Sequence, residues 1–301
     1  MPLHCWSSAH YTIPLPEGHR FPIAKYALLR DAAVARGLVA PGDLHDPERA
    51  TLETVELAHT ADYVQRFSMG DLDELEQRVL GFPWSEALVE RAFRAVGGTV
   101  EAAAMALDRG IAMNLAGGTH HAFADRGEGF CVFNDVAVAI RALQREGRIV
   151  RAVVIDLDVH QGNGTHSIFA ADPTVFTFSM HGGRNYPFRK VAGSLDLELA
   201  DGASDETYLL ALARTLPHVL ATARADLVMY LAGVDPHEGD RLGRLKLTHE
   251  GLRRRDQMVL EQCREVGLPV CLTIAGGYGK SIDDTVQAHL NTVEIATRFA
   301  T

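Results

Sequence analysis

The sequence predicts an α/β fold: a three-layer α/β/α domain with one mostly parallel sheet between two layers of helices. Two observations support this prediction. Short apolar runs without polar alternation recur along the chain, and stretches of helical periodicity separate them. Such strands are buried on both faces, which is typical of parallel sheets with helical crossovers. A length of 301 residues would allow two small domains. No linker-like segment interrupts the alternation, so we expect a single domain over 1–301.

The elements can be placed from the same periodicity. In the mixed first part of the chain, helices are expected over Ala24–Arg36 and Ala61–Phe67. The regular alternation begins near residue 85 with a long amphipathic stretch. Further helices are predicted over Glu86–Arg109, Asp135–Arg145, Ser204–Arg224, Thr248–Val266 and Ile282–Phe299. Strands are predicted over Ile111–Ala116, Arg151–Leu157, Thr174–Ser179, Asp226–Ala232 and Pro269–Ala275.

Composition excludes several classes of protein. With 29 Lys and Arg against 39 Asp and Glu, the formal net charge is −10, which disfavours binding to the phosphates of nucleic acids. No window approaches the roughly 18 consecutive apolar residues of a membrane span, so no membrane association is expected. The four cysteines form no C-x-x-C pair, and the N-terminus does not resemble a signal peptide. Free thiols and a cytoplasmic location are therefore expected.

Histidine is frequent, with 14 residues in the chain, and the question is which of them are chemically active. Ligands of open α/β sheets bind beyond the carboxyl ends of the strands. Polar side chains follow four of the predicted strands there: His120 and His121, the run from Asp156 to His160, Asp235, and Tyr278. Four such clusters at one edge of a sheet predict a functional site.

A divalent metal site is the first expectation for this edge. Asp158 and His160 are two residues apart, so their side chains share one face of a strand. Asp235, at an equivalent strand end, would be the third ligand that a catalytic metal needs. Oxygen and nitrogen donors without sulfur suit Zn²⁺, Fe²⁺ or Mn²⁺, and Asp156 lies one step deeper, where it could orient a partner. The plainer interpretation is that these side chains cap the following turn.

The other two clusters predict proton transfer and oxyanion stabilisation. In a turn led by glycine, both His120 and His121 can face one cavity, where a neutral imidazole can move a proton. Tyr278, between glycines, could donate to a developing oxyanion. Core packing is the alternative for all three.

No phosphate loop is expected around Lys280, because Ile274 stands where that motif needs glycine. The remaining histidines are expected to pack or to face solvent. His166, His181 and His237 lie near the predicted site, where an accessory role is the alternative to packing.

Several motifs together resemble the zinc-dependent histone deacetylase family, from about Ile13 to Ala288. The segments that carry the resemblance are Gly117–Ala122, Gly129–Asp135, Asp156–Gly164, Ala232–Asp235 and Gly276–Tyr278. The superfamily includes acetylpolyamine amidohydrolases and acetoin-utilisation proteins, and its fold is the arginase-type α/β/α fold. Gln161 after the metal histidine, and the segment Glu238–Gly243, are most similar to the class IV branch and its bacterial relatives.

The resemblance implies a role for each matching residue. Asp158, His160 and Asp235 match the zinc ligands, His121 the general base and acid, and His120 its electrostatic neighbour. Asp156 and Asn163 match the hydrogen-bond partners of His120 and His121 respectively; some members have Asp at the second position. Tyr278 matches the tyrosine that polarises the carbonyl. Gly129 and Phe130 match the floor and one wall of the acyl-lysine tunnel, whose facing wall would come from Tyr186 or Phe188. A structural K⁺ is implied at Asp156, Asp158, His160, Ser179 and Met180.

The function predicted on this basis is metal-dependent removal of an acyl group from an acylated amine, in particular N-ε-acyl-lysine of proteins. The alternative is a small-molecule amidohydrolase acting on acetylpolyamines, and the net acidity of the chain would suit either cationic substrate. An arginase-type manganese enzyme would need more bridging carboxylates than the residues after Asp158 and Asp235 offer. A non-catalytic module that binds acyl-lysine would be expected to lack one of the reactive residues. Assembly into an oligomer is compatible with the sequence.

Overall fold

The computed structural model describes residues 2–300, and its centre is a sheet of eight parallel strands. In chain order they are β1 (His4–Trp6), β2 (Leu44–His45), β3 (Ile111–Asn114), β4 (Ala152–Asp156), β5 (Val175–Gly182), β6 (Leu195–Leu199), β7 (Leu227–Leu231) and β8 (Val270–Thr273). Across the sheet the order is β2-β1-β3-β8-β7-β4-β5-β6. Every strand pairing in it is parallel. The predicted fold class is confirmed, and the sheet is parallel throughout rather than mostly so.

Helices cover both faces of this sheet. They are α1 (Ala24–Ala35), α2 (Leu52–Val55), α3 (Ala61–Met69), α4 (Glu74–Leu80), α5 (Glu86–Arg109), α6 (Asp135–Arg145), α7 (Asn163–Phe169), α8 (Asp205–Ala223), α9 (His249–Glu265) and α10 (Ile282–Thr297). Successive residues of β4 face opposite cores. Val153 and Ile155 pack with α1, α8, α9 and α10, and Ala152 and Val154 pack with α3, α5 and α6. This alternation produces the three layers.

The prediction missed short or half-exposed elements. Strands β1 and β2 have only three and two residues, too few to show any periodicity. Strand β6 is an edge strand with mostly half-exposed residues, so it lacks the continuous apolar run used to find the others. The predicted connection through Gly162 and Gly164 contains helix α7. Within residues 2–300, no helix is both long and apolar enough to cross a bilayer.

The strand order places the site. Strands β3, β8, β7 and β4 are consecutive in the middle of the sheet, and they are the four strands that the polar clusters follow. Because all four run in the same direction, their carboxyl ends lie at one edge. The clusters at His120, Asp158, Asp235 and Tyr278 therefore converge, although up to 158 residues separate them in the sequence.

Candidate active site

A cavity of about 450 Å³ opens at the carboxyl ends of the central strands. Its lining contains the side chains that the sequence singled out: His120, His121, Asp158, His160, Asp235 and Tyr278, together with Gly129, Phe130, Tyr186 and Phe188. Apolar residues of α5, among them Leu88 and Val96, extend the lining away from these polar groups. The structure thus combines a reactive end and an apolar chamber in one cavity, as small-molecule sites commonly do.

The candidate metal ligands Asp158, His160 and Asp235 lie together at the floor of this cavity. Each is almost fully buried, and one potential ligand atom from each lies within 4.8 Å of the others. Nδ1 of His160 is 3.0 Å from Oδ1 of Asp158 and 3.2 Å from Oδ2 of Asp235. The amide of Val159 donates to the other oxygen of Asp235, at 2.8 Å, and this holds the carboxylate in place.

Two features of the triad fit a divalent cation. Oδ2 of Asp235 is buried and accepts no hydrogen bond from any described residue, which is costly unless a ligand satisfies it. Burial and the nearby charge of Asp158 raise the pKa of Asp235 to about 7, and a cation between the two carboxylates would remove that repulsion. Gly276 leaves room beside them, since a Cβ there would lie 2.1 Å from Oδ2 of Asp235.

The turn that carries His120 and His121 is held by Asp135, a residue that the sequence analysis quoted only as part of a motif. Its carboxylate accepts from the amides of Gly118, at 3.0 Å, and Thr119, at 2.8 Å. Gly117 and Gly118 have φ values of 75° and 76°, where residues with a side chain are strained. This geometry lets two adjacent histidines face the same cavity.

His120 lies beside two carboxylates of the site, those of Asp156 and Asp158. Its Nδ1 is 2.7 Å from Oδ2 of Asp156, and its Nε2 is 3.8 Å from Oδ1 of Asp158. Burial alone would lower the pKa of His120, but the carboxylates of Asp156 and Asp158 outweigh it and raise that pKa to about 9. The imidazole is therefore protonated at neutral pH.

His121 has a neutral partner. Its Nδ1 is 2.6 Å from Oδ1 of Asn163, and an amide oxygen can only accept, so Nδ1 carries the proton and Nε2 has a free lone pair. Burial, followed by the positive charges of His120 and His160, lowers the pKa of His121 well below its ordinary value. The ring faces the cavity as a neutral imidazole.

Sequence reasoning missed Glu128, whose carboxylate lies between Asn163, the partner of His121, and Tyr186. The hydroxyl of Tyr186 donates to its Oε2 at 2.8 Å, and Nδ2 of Asn163 lies 3.5 Å from the same oxygen. A carboxylate beside Nδ2 directs Oδ1 of Asn163 toward His121. The only sequence signal was its place beside Gly129, and a lone acid in a loop is not informative without its contacts.

Tyr278 is presented by a loop that several groups hold. Asp158 accepts from the Gly276 amide at 2.7 Å, and Asp240 accepts from the Tyr278 amide at 2.6 Å. The buried ammonium of Lys25 donates to the carbonyls of Ala275 and Gly277, at 3.3 and 3.4 Å. Burial, then the nearby Tyr26 and other groups, raise the pKa of Tyr278 well above its ordinary value. Its phenol is a hydrogen-bond donor at any physiological pH.

The residues predicted to form the walls of a tunnel all line the cavity. Gly129 and Phe130 both have positive φ, at 54° and 66°, and a Cβ on Gly129 would lie 2.9 Å from the ring of His121. The Phe130 ring lies 5.9 Å from the Tyr278 ring. On the other side, the Tyr186 ring lies edge-on to His121 at 4.9 Å. The sequence left two candidates for the facing wall; Tyr186 is the inner one, and Phe188, 86% exposed, lies at the rim.

The residues proposed for a monovalent cation share Asp158 and His160 with this floor, whereas Asp156, Ser179 and Met180 do not line the cavity. The register of β4 against β5 pairs Asp156 with Ser179, and Met180 follows directly. All five residues of the set are buried. The hydroxyl of Ser179 lies 2.9 Å from Nδ1 of His181, so it does not point freely toward Asp156.

The mouth of the cavity is basic, in contrast to the chain as a whole. Arg20, Arg184 and Arg244 line it and are exposed. Among the described lining residues, Asp158 and Asp235 at the floor are the only carboxylates. Asp201 pairs with Arg244 at 3.2 Å and with Arg184 at 3.7 Å, which neutralises part of the charge. The net acidity of the sequence therefore does not extend to the entrance.

The chain is similar to known proteins over nearly its whole length. Residues 19–293 match the model of the histone deacetylase domain. The chain belongs to the histone deacetylase family. The acetoin utilization protein AcuC of Bacillus subtilis is 31% identical over 81% of this chain and 68% of its own length. An uncharacterised protein of Picosynechococcus is 47% identical over 93% of both chains. An HDAC homolog from Aquifex aeolicus, 26% identical, superposes with a TM-score of 0.84 over 98% of this chain and 84% of its own.

Membership of the histone deacetylase family has two consequences for the site. Members are deacetylase hydrolases and are generally zinc-dependent, which agrees with the buried Asp–His–Asp set. The family includes both proteins named for histone deacetylation and one named for acetoin utilization. Family membership therefore establishes a deacetylase hydrolase, and the substrate must be argued from the cavity itself.

Proposed function

We propose that this protein is a zinc-dependent deacylase that hydrolyses the amide of N-ε-acyl-lysine in proteins. The observation that carries the proposal is the convergence of a buried Asp–His–Asp set, two histidines with different partners and a tyrosine phenol in one cavity. Asp158, His160 and Asp235 would hold the ion. A zinc ion there supplies Lewis acidity: it polarises the amide carbonyl and lowers the pKa of a water. Fe²⁺ and Mn²⁺ suit the same donors.

The chain's own residues account for the movement of protons. Nε2 of His121 takes a proton from the attacking water, because the ring is neutral and Asn163 fixes its tautomer. The hydroxyl of Tyr278 donates to the carbonyl oxygen as negative charge develops there. His121 then returns its proton to the departing lysine amine. His120, paired with Asp156, keeps positive charge near the reacting centre. We also propose that a structural K⁺ is held at Asp156, Asp158, His160, Ser179 and Met180.

The basic mouth favours acyl-lysine over the alternative, an acetylpolyamine. A polyamine retains ammonium groups a few bonds from its acylated nitrogen, and these would approach Arg20, Arg184 and Arg244. Like charges there raise the free energy of binding. An acylated lysine has lost its own charge, and the rest of a peptide can place neutral or acidic groups at the rim.

The decisive experiment compares substrates on the zinc-loaded protein. The same acetyl-lysine peptide with glutamate or lysine beside the acylated residue is assayed against acetylputrescine and acetylspermidine. We expect the acidic peptide to give the highest kcat/KM and the polyamines the lowest. Faster turnover of polyamines would overturn the substrate assignment. Absence of turnover with every acylated amine would overturn the proposed function as a whole.

Metal loading provides a second readout, independent of the substrate. Asp158→Ala removes one of the three buried ligands and is expected to abolish both hydrolysis and zinc at this site, measured by elemental analysis. His218→Ala serves as control, because this histidine is exposed near the end of α8, which leads into the amino end of β7 and not to the carboxyl edge of the sheet. Retention of full activity by Asp158→Ala would contradict the assigned ligand set.

A further inference from the structure

A second cluster of metal-binding side chains lies outside the active-site cavity. His237, His249 and Asp284 are half-buried, and one potential ligand atom from each lies within 4.8 Å of the others. Oδ1 of Asp284 is 2.8 Å from Nε2 of His249, and its Oδ2 is 3.5 Å from Nδ1 of His237. The two imidazole rings are 4.4 Å apart. His237, expected to pack or to face solvent with an accessory role possible, thus lies beside two further side chains that can ligate a metal.

The spacing of these atoms fits a small divalent ion. With ligand bonds of about 2.0–2.2 Å, tetrahedral ligands around zinc are roughly 3.3–3.6 Å apart, and the 3.5 Å between Oδ2 of Asp284 and Nδ1 of His237 lies in that range. The 2.8 Å between Oδ1 of Asp284 and Nε2 of His249 is a hydrogen-bond distance, which would lengthen when an ion replaces the shared proton. Two imidazoles and a carboxylate are ligands that zinc accepts, and the half-exposed position leaves water for the fourth. Gly239 borders the cluster: a Cβ there would lie 3.0 Å from Nδ1 of His237 and 3.1 Å from Oδ2 of Asp284.

The existing contacts allow metal binding. The Gly239 amide donates weakly to Nδ1 of His237, at 3.2 Å, and water can replace this acceptor because Gly239 is half-exposed. Ligation through Nε2 of His249 would place the ring proton on Nδ1, and the side-chain amide of Asn291, 3.3 Å from Nδ1, can accept that proton by presenting its oxygen. A hydrogen-bonded His–Asp pair accounts for His249 and Asp284 alone. It does not account for the second imidazole.

The position of the cluster relates it to catalysis. His237 follows β7 two residues after Asp235, and its loop continues to Asp240, which accepts from the Tyr278 amide. The Lys280 amide donates to the carbonyl of Gly239 at 3.1 Å, so the two loops are paired. His249 begins α9 and Asp284 lies in the first turn of α10. An ion at the cluster would join three segments behind the loop that presents Tyr278.

We propose that His237, His249 and Asp284 form a second, structural site for a divalent transition metal of the Zn²⁺ type. The ion fixes the loop after β7 against the starts of α9 and α10. This inference does not rest on the proposed function, since it predicts metal binding that is measurable without a substrate.

The test is zinc stoichiometry after dialysis against buffer with micromolar free zinc, measured by elemental analysis. The wild type is expected to retain two zinc ions per chain. His249→Ala and the nearly isosteric Asp284→Asn should retain one, as should Asp158→Ala, which loses the other site. The control His218→Ala should retain two. Circular dichroism establishes that each variant is folded.

Thermal unfolding separates a structural ion from a loosely held one. In the Asp158→Ala background, added zinc should raise Tm by about 2 °C or more, and this increase should vanish when His249→Ala is added. A single zinc ion per wild-type chain that Asp158→Ala loses and His249→Ala retains would overturn the proposal. Two ions retained by both His249→Ala and Asp284→Asn would overturn it as well, as would a zinc-induced rise in Tm that persists in the double variant.

Discussion

His120 and His121 are neighbours in the sequence and in the site, and the group that faces Nδ1 differs between the two rings. Their rings are 4.1 Å apart, and both side chains are buried. The Nδ1 of His120 faces the carboxylate of Asp156, whereas the Nδ1 of His121 faces the amide of Asn163. The pKa of the first ring is raised to about 9 and that of the second is lowered well below its ordinary value.

The difference shows that the partner, rather than burial, assigns the roles. Burial disfavours the charged form of both imidazoles equally. Asp156 reverses that effect for His120, and Asn163 has no charge with which to reverse it for His121. Groups whose surroundings separate their pKa values are suited to different steps of acid–base chemistry. A neutral His121 can accept a proton, whereas a protonated His120 cannot, and its positive charge can stabilise negative charge.

The largest expected effect comes from removing the neutral imidazole. His121→Ala eliminates the proposed base, so kcat should fall by about 10²–10⁴-fold, measured with an acetyl-lysine peptide on zinc-loaded protein. His120→Ala should cost less, because it removes charge stabilisation and leaves the base in place. A greater loss in His120→Ala than in His121→Ala would reverse the roles assigned here. Zinc content of both variants controls for damage to the metal site.

Tyr278→Phe should cause the next largest loss of kcat. It tests whether the titration of the histidines is independent of the phenol. Loss of one oxyanion donor costs roughly 10²–10³ in kcat, with zinc content unchanged. Tyr278 contacts neither Asp156 nor Asn163, so the acid limb of the pH–rate profile should stay in place. A shifted limb would mean that the phenol influences the titration of His121.

A smaller but more specific effect is expected from Asn163→Asp, which gives His121 the kind of partner that His120 has. The added carboxylate should raise the pKa of His121 by about one unit or more. Since the base acts only when neutral, activity is lost as pH falls through this pKa. The acid limb of kcat/KM should therefore move to higher pH in the variant. An unmoved limb would show that the neutral partner does not set the pKa of the base.

Part of the site could be predicted from the sequence, because each buried strand has its own signal in a short stretch of residues. The strand ends at His120, Asp158, Asp235 and Tyr278 could be located because buried parallel strands leave a continuous apolar signal. Their convergence then follows from the parallel direction of the strands. The fold class and the helices α5 and α6, with the predicted bounds, came from periodicity in the same way.

What could not be predicted depends on contacts between distant loops. Glu128 reaches Tyr186 across 58 residues, and Asp284 reaches His249 across 35, with no spacing in the sequence to indicate either pair. Strand β6 was missed because an edge strand buries only part of its surface. The basic mouth of the cavity could not be predicted from the net charge, because that charge is a sum over the whole chain and carries no information on where arginines cluster.

The smallest expected effect concerns the link that lies behind His121. In Glu128→Gln, the carboxylate that accepts from Tyr186 and lies near Nδ2 of Asn163 becomes an amide, so Asn163 is less firmly oriented. Hydrogen bonds to charged groups are worth about 1.5–3 kcal/mol, and glutamine keeps one acceptor, so kcat should fall by about three- to tenfold. Tyr186→Phe is the matched control, because it removes the same hydroxyl–carboxylate contact but leaves Glu128 beside Asn163.

The two variants distinguish positioning of the base from support of the tunnel wall. If Glu128 acts through Asn163, Glu128→Gln lowers kcat and shifts the acid limb, whereas Tyr186→Phe mainly raises KM. Equal effects of both variants on KM, with unchanged kcat, would limit Glu128 to holding the wall. In that case Asn163 alone would fix the tautomer of His121, and the contrast with His120 would depend on one amide facing one carboxylate.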